Sequence, residues 1–259
     1  MALILSLIRR EIAGRYRGSS FGLLWSLITP MFMLAVYTFF FGVVLQARWD
    51  VPNRSGAEHS TTEFGVILFA GLVAFQFFSE VAGGAPGLVV GNRNYVKKIV
   101  FPIRILSVVS VGTALFHSAI SLLVLLIFTW FVFGKIPLTF VLAPLVFAPL
   151  VVMALGLSWF MAAVGVYFRD IGQIVPPLLT ATLFLSPILF PRAVMPEQFQ
   201  SYLSLNPLAI PVEALRDVTL FGLQPDWTAL GFYSLAAIAV ALLGDRFFQL
   251  TRRGFADVL

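Results

Sequence analysis

Charged side chains punctuate this chain at wide intervals, and long apolar runs lie between them. Residues 18–47, 64–79, 105–134, 136–168, 171–191 and 227–244 contain no Asp, Glu, Lys or Arg. A helix needs roughly 20 apolar residues to cross a hydrocarbon layer of about 30 Å. Each run reaches or approaches that length, and the shorter ones extend past a single charge. The pattern predicts an all-α integral membrane fold with six spans, at about 22–46, 64–86, 105–133, 140–167, 173–191 and 227–244. A short segment precedes the first run. In it Ile4, Leu5, Ile8, Ile12 and Tyr16 share one side of a helix, and Ser6, Arg9, Arg10 and Arg17 share the other. That spacing fits a helix lying in the membrane interface; an ordinary basic flank is the plainer alternative. Glu11 and Arg15 stand one turn apart and are placed to pair. Gly18, Ser19, Ser20 and Gly22 supply small residues where the chain turns into the first span.

Between the runs the chain is unevenly ordered. Segment 47–63 is polar. The second span breaks at Gly83, Gly84 and Pro86, and the fifth is interrupted by Pro176, Pro177 and Pro187. From 192 to 226 the apolar content is divided by Pro196, Pro207, Pro211 and Pro225 into pieces too short to cross. Irregular backbone at membrane depth survives only where protein or a water-filled cavity covers it, so this stretch is expected to cap a pore. No repeat or second domain is visible, and residues 1–259 read as one transmembrane domain.

Composition agrees. Only 11% of residues are charged and 59% are hydrophobic, against about 25% charged in soluble domains; water could not solvate such a surface. The net charge of +5 is sided rather than spread. The N-terminus, 87–104, 168–173 and 245–259 together hold 12 Lys/Arg and 4 Asp/Glu, and the opposite loops hold 5 and 7. Lys/Arg excess marks the cytoplasmic side. Both termini are thus expected in the cytoplasm, and an even number of spans follows. Nucleic acid is not the expected partner of these charges; membrane lipid is. With no cysteine, no disulfide framework or thiolate metal site is possible. The first residues lack the pattern of a cleaved signal peptide, so the first span is expected to be retained.

Catalytic and cofactor motifs are missing. No H-E-x-x-H, G-x-S-x-G or P-loop pattern occurs, since Gly134-Lys135 is followed by Ile136. No cofactor or metal is expected on this chain, and any ATP and magnesium must sit on another subunit. In 87–104, Asn92, Arg93, Tyr95, Lys97 and Lys98 precede Phe101-Pro102. A short amphipathic element of this kind can seat its apolar residues in a groove of a soluble protein; a solvated basic loop explains the lysines equally well. Intramembrane ionisable groups are functional suspects. Glu80 near the inner end of the second span is positioned to meet Arg93, a headgroup or another subunit. His117, mid-span, is expected in an interhelical hydrogen bond. Arg15 and Arg17 have the guanidinium forks that match phosphate oxygens.

Four segments carry a resemblance to a known family. Arg15-Tyr16-Arg17-Gly18-Ser19-Ser20-Phe21-Gly22-Leu23-Leu24-Trp25-Ser26 running into Pro30, Asn94-Tyr95-Val96-Lys97-Lys98 through Phe101-Pro102, Phe168-Arg169-Asp170-Ile171, and Leu205-Asn206-Pro207-Leu208 with Glu213-Ala214-Leu215-Arg216 occur in that order. The set resembles ABC-2 type permeases of the O-antigen, capsule and teichoic-acid exporters. The resemblance implies a homodimer of six-span subunits enclosing a channel for a lipid-linked polysaccharide, driven by a separate nucleotide-binding ATPase. It also implies an interface helix at 1–20, a coupling helix at 92–101 and periplasmic gate helices at 195–222. Asn92, Arg93, Tyr95, Lys97, Lys98, Phe101, Arg169 and Asp170 would then meet the ATPase. Arg15, Arg17 and Trp25 would flank substrate entry, and Asn206, Pro207, Glu213 and Arg216 would form the gate. Sugar C–H faces stack on aromatic rings, and this chain has 27 Phe. Phe32, Tyr37, Phe40, Phe184 and Phe190 are therefore channel-lining expectations, although lipid-facing Phe is ordinary and Phe39-Phe40-Phe41 must point three ways.

Other functions compete. A permease for a smaller lipid or drug shares the fold. An ion-coupled secondary transporter would need several midplane ionisable groups and repeats. A membrane glycosyltransferase would need an interfacial catalytic cluster, for which Glu213, Arg216 and Asp217 are the one faint candidate.

Overall fold

The protein is described here as a computed structural model covering residues 2–46, 49, 61–97, 101–194, 196, 198, 203 and 206–258. The described residues contain helices and turns and no strand. Helix α1 is Ala2–Tyr16. The chain then turns at Gly18 and Gly22, whose φ values of +84° and +49° lie in the region that costs glycine nothing. A 3-10 turn at Gly22–Leu24, helix α2 (Trp25–Tyr37) and a π-helical stretch at Thr38–Val44 make one continuous apolar rod. Helix α3 is Thr61–Gly84; after the turn Ala85–Gly87 come the short helices α4 (Leu88–Gly91) and α5 (Arg93–Lys97). Helices α6 (Ile105–Phe133), α7 (Ala143–Tyr167), α8 (Ile171–Phe184), α9 (Ala209–Arg216), α10 (Trp227–Thr251) and α11 (Phe255–Val258) complete the order.

Five of these rods are long and apolar enough to cross a membrane: Gly22–Val44, Thr61–Gly91, Ile105–Phe133, Leu138–Tyr167 and Trp227–Gly254. They match five of the six expected spans. The fifth expected span, 173–191, is a 14-residue helix followed by turns and bends at 185–190. Its shortness has a cause in the sequence. Ser186 and Pro187 follow the last helical turn, and proline withdraws a backbone donor and clashes with the preceding turn. The last helix runs past Asp245 to Thr251, and Arg104 meets the Asp245 carboxylate at 2.6 Å. Residues 47, 48 and 50–60 and much of 195–205 fall outside the described residues.

Helix α3 is the axis of the bundle: Ile67, Leu68, Phe69, Ala70 and Ala74 are fully enclosed. Without a hydrophobic drive between helices in lipid, close packing needs small residues. Gly156 on α7 faces α10 so closely that a Cβ there would come within 2.5 Å of the Ala241 Cα, and Gly244 faces the Gly156 carbonyl in return. The α7–α10 pair is accordingly the most extensive helix contact in the molecule. By contrast, the rod containing α2 is mostly exposed along its length.

Candidate functional site

Two polar clusters interrupt the apolar interior, one at each end of α3. The first is assembled by α1, α3 and α6. The last turn of α1 delivers Arg15 and Tyr16 to Glu80 on α3 and His117 on α6. Arg15 Nη1 lies 2.6 Å from Glu80 Oε1. His117 Nδ1 lies 2.9 and 3.0 Å from the two Glu80 oxygens, and its Nε2 lies 3.1 Å from the Tyr16 hydroxyl. A carboxylate only accepts, so the imidazole donates from Nδ1 to Glu80. Nε2 is then left for the Tyr16 hydroxyl. Burial pushes the Tyr16 phenol up from its ordinary value, which keeps its proton available as a donor. The 3.1 Å approach of Arg15 to His117 Nδ1 is a consequence of both groups sharing Glu80.

These contacts revise the pairing expected from the sequence. The ion pair of Arg15 is with Glu80, sixty-five positions away, and not with Glu11 one turn back. Glu80 meets Arg15 and His117, where Arg93 was one of the expected partners. Leu5, on the apolar side expected to meet the membrane interface, is 55% exposed, and Leu7 is half-buried. Beside the cluster lies a cleft of about 290 Å³ lined by Trp25, Ser26, Thr29, Gln76 and Ser121 as well as the four charged and polar groups. It offers donors, acceptors and an indole together. Arg17 is exposed just beyond the helix end.

The second cluster centres on Arg216 at the end of α9. Its side chain is buried, at 3% exposure. Nε donates to the Ile67 carbonyl at 3.0 Å and Nη2 to the Ile188 carbonyl at 2.7 Å; Nη1 donates to the Pro187 carbonyl. The guanidinium also lies 4.3 Å from the centre of the Trp49 ring. Pro187 and Ile188 are where the chain leaves helical geometry after α8, so their carbonyls lack intrahelical donors. Arg216 supplies them. Asn206 works on the same break, donating from Nδ2 to Leu185 O at 3.0 Å and to Ser186 Oγ at 2.8 Å. The Pro207 carbonyl accepts from the Tyr233 hydroxyl at 2.8 Å, and Glu213 lies 3.8 Å from Arg192. All four residues expected of the gate therefore tie α9 and its approach to the broken end of α8, to α3 or to α10. With its donors committed to carbonyls, Arg216 is no part of an open catalytic cluster.

At the end of the bundle that carries α1, the residues expected to couple are partly brought together. Tyr95 stacks on Phe101 with ring centres 4.6 Å apart, and Arg10 donates to its hydroxyl at 2.7 Å. These two rings, expected to insert into another protein, thus cover each other. Asn92 turns the chain between α4 and α5 and bonds back to Leu88 O at 2.9 Å. Arg93 is exposed, Lys97 lies in α5 and Lys98 lies outside the described residues. Arg169 and Asp170 are exposed in the turn between α7 and α8. Of the expected channel rings, Phe32, Phe40 and Phe184 turn away from the core of this chain, at 63%, 47% and 60% exposure, and Tyr37 and Phe190 are half-buried. The role of Trp49 against Arg216 had no signal in the sequence, because the two are far apart and lie in different segments.

The ABC-2 type transporter family matches residues 2–220. The O-antigen export system permease protein RfbA of Myxococcus xanthus is 31% identical, with 98% of this chain and 94% of that protein aligned. The protein of the same name from Klebsiella pneumoniae is 26% identical over 99% of this chain and 95% of its own length. The polysialic acid transport protein KpsM of Escherichia coli is 27% identical, with 92% and 89% covered. The aligned stretch includes both polar clusters and every expected coupling residue, so the chain belongs to the ABC-2 type transporter family.

Proposed function

We propose that this chain is the membrane-spanning subunit of an ATP-driven exporter that moves a long, lipid-linked polysaccharide out of the cytoplasm. The observation that carries this reading is near-full-length similarity to permeases named for two different polymers, O-antigen and polysialic acid. The chain itself holds no P-loop, so a separate ATPase binds and hydrolyses the nucleotide, and this subunit is not an enzyme. That ATPase docks at 92–101 and at Arg169 and Asp170. In this reading α8 and residues 185–191 together make a sixth crossing, held in place by Arg216 and Asn206. Both termini then lie in the cytoplasm, α9 is part of an outer gate, and the protein sits in the inner membrane. Two copies enclose the channel. The exposed apolar rod containing α2 supports this, since its Phe32, Phe40, Val43 and Val44 are about half or more exposed among the described residues.

The test is reconstitution of the full chain with its cognate ATPase in proteoliposomes carrying a labelled lipid-linked glycan. The expected result is ATP-dependent accumulation of glycan across the bilayer. Transport of a short lipid but no polymer would reassign the cargo, and transport without any ATPase would end the proposal.

A further inference from the structure

Helix α1 is attached to the bundle at more points than a helix resting on lipid requires. Arg10 bonds to Tyr95, whose ring stacks on Phe101. Ile8 occupies the notch left by Gly112 on α6. Arg15 and Tyr16 engage Glu80 and His117 on two different spans. Residues 10 and 15 are separated by about 140° around a helix. One side of α1 therefore faces Tyr95, and another faces Glu80 and His117.

We propose that Glu80 and His117 are positioning residues for energy coupling. They clamp the C-terminal turn of α1, so that displacement of the 93–101 segment passes through α1 as a rigid body to α3 and α6. The inference rests on the reading that 92–101 receives the ATPase. An apolar face alone would let α1 slide over its neighbours, because dispersion contacts have little direction. Charge-assisted hydrogen bonds are short and directional; the one from Arg15 to Glu80 on α3, with the neutral bond from Tyr16 to His117 on α6, fixes both the height and the rotation of the helix. Releasing Arg15 would leave the Glu80 carboxylate, 24% exposed, without its cationic partner, which makes the clamp stiff.

The experiment uses the full chain with its ATPase in proteoliposomes. The absence of cysteine permits spin labels at chosen pairs. Labels at Ala13 and Phe232 follow α1, and labels at Leu123 and Phe232 follow α6. In the parent protein, both distances are expected to change between nucleotide-free and ATP-trapped states. In Glu80→Gln and His117→Gln, complex assembly and basal ATP hydrolysis persist and the α1 distance still changes. The α6 distance stays fixed, and glycan moved per ATP falls at least tenfold. Glu80→Asp, which keeps the charge, retains at least a third of the parent coupling. Where Glu80→Gln fails to assemble, Tyr16→Phe supplies the same readouts. An α6 distance that follows nucleotide in the clamp variants, or that never moves in the parent, overturns the proposal, as does transport per ATP within twofold of parent. A parent chain that exports without the ATPase overturns this inference and the function together, and is recognised before any substitution is made.

Discussion

Arg216 shows how one buried side chain can hold an irregular backbone inside an apolar bundle. A guanidinium carries five donors in a planar fork, which is why one residue reaches carbonyls of α3 and of the α8 break while its face covers Trp49. Hydrogen bonds to charged groups contribute about 1.5–3 kcal/mol each, and an orphaned buried acceptor costs about 1–3 kcal/mol. Arg216→Ala is therefore expected to destabilise the protein by roughly 3 kcal/mol or more, seen as a lower melting temperature in detergent. Arg216→Lys should recover little, because an ammonium on a single stem cannot span the same three carbonyls. Gly71→Ala provides a check from the other side: its Cβ would fall 2.6 Å from Arg216 Nη2. It should lower stability in the parent and much less in Arg216→Ala; equal losses in both backgrounds would remove Arg216 as the cause.

At the scale of elements, the α7–α10 pair and the start of α10 make separable predictions. Gly156→Ala forces a methyl against the Ala241 backbone, and overpacking of that kind costs about 1–3 kcal/mol. Gly231→Ala on the same α10 helix meets nothing within 4 Å and should be neutral or slightly stabilising, since alanine is the better helix former. The same melts measure both. Helix α10 begins at Asp226, whose carboxylate accepts from Thr228 N at 2.9 Å and Ala229 N at 3.0 Å. Loss of such a cap costs about 1 kcal/mol. Asp226→Ala should show it, and Asp226→Ser should restore most of it.

For the whole molecule, sided charge makes the strongest prediction. Single cysteines can be placed in this cysteine-free chain at Ser6 and Arg253, and at Lys135 and Gln224. The first two are expected to react with a membrane-impermeant maleimide only when the cytoplasmic face is opened, and the second two in intact spheroplasts. Ser6 and Arg253 labelling from opposite faces would require an odd number of crossings and would count against α8 with 185–191 as a sixth. The bundle already groups its two ends consistently. Tyr167 bonds to Thr251 O at 2.9 Å and Arg104 to Asp245 at one end, while Thr139 bonds to Val218 O at 2.8 Å at the other.

Membrane class, five of the spans, a helix ahead of the first span and the glycine turn after it were legible in the sequence because each depends on local quantities: runs of apolar residues, helical spacing and the positive φ that glycine tolerates. The ordered motifs also pointed to the family that the comparison identified. The partners of the ionisable groups were not legible. An isolated Glu80 or His117 announces only that burial must be compensated, and the compensating group can come from any segment the fold brings near. Arg15 with Glu80, Arg216 with the α8 break and Trp49, and Asp245 with Arg104 were decided by tertiary packing.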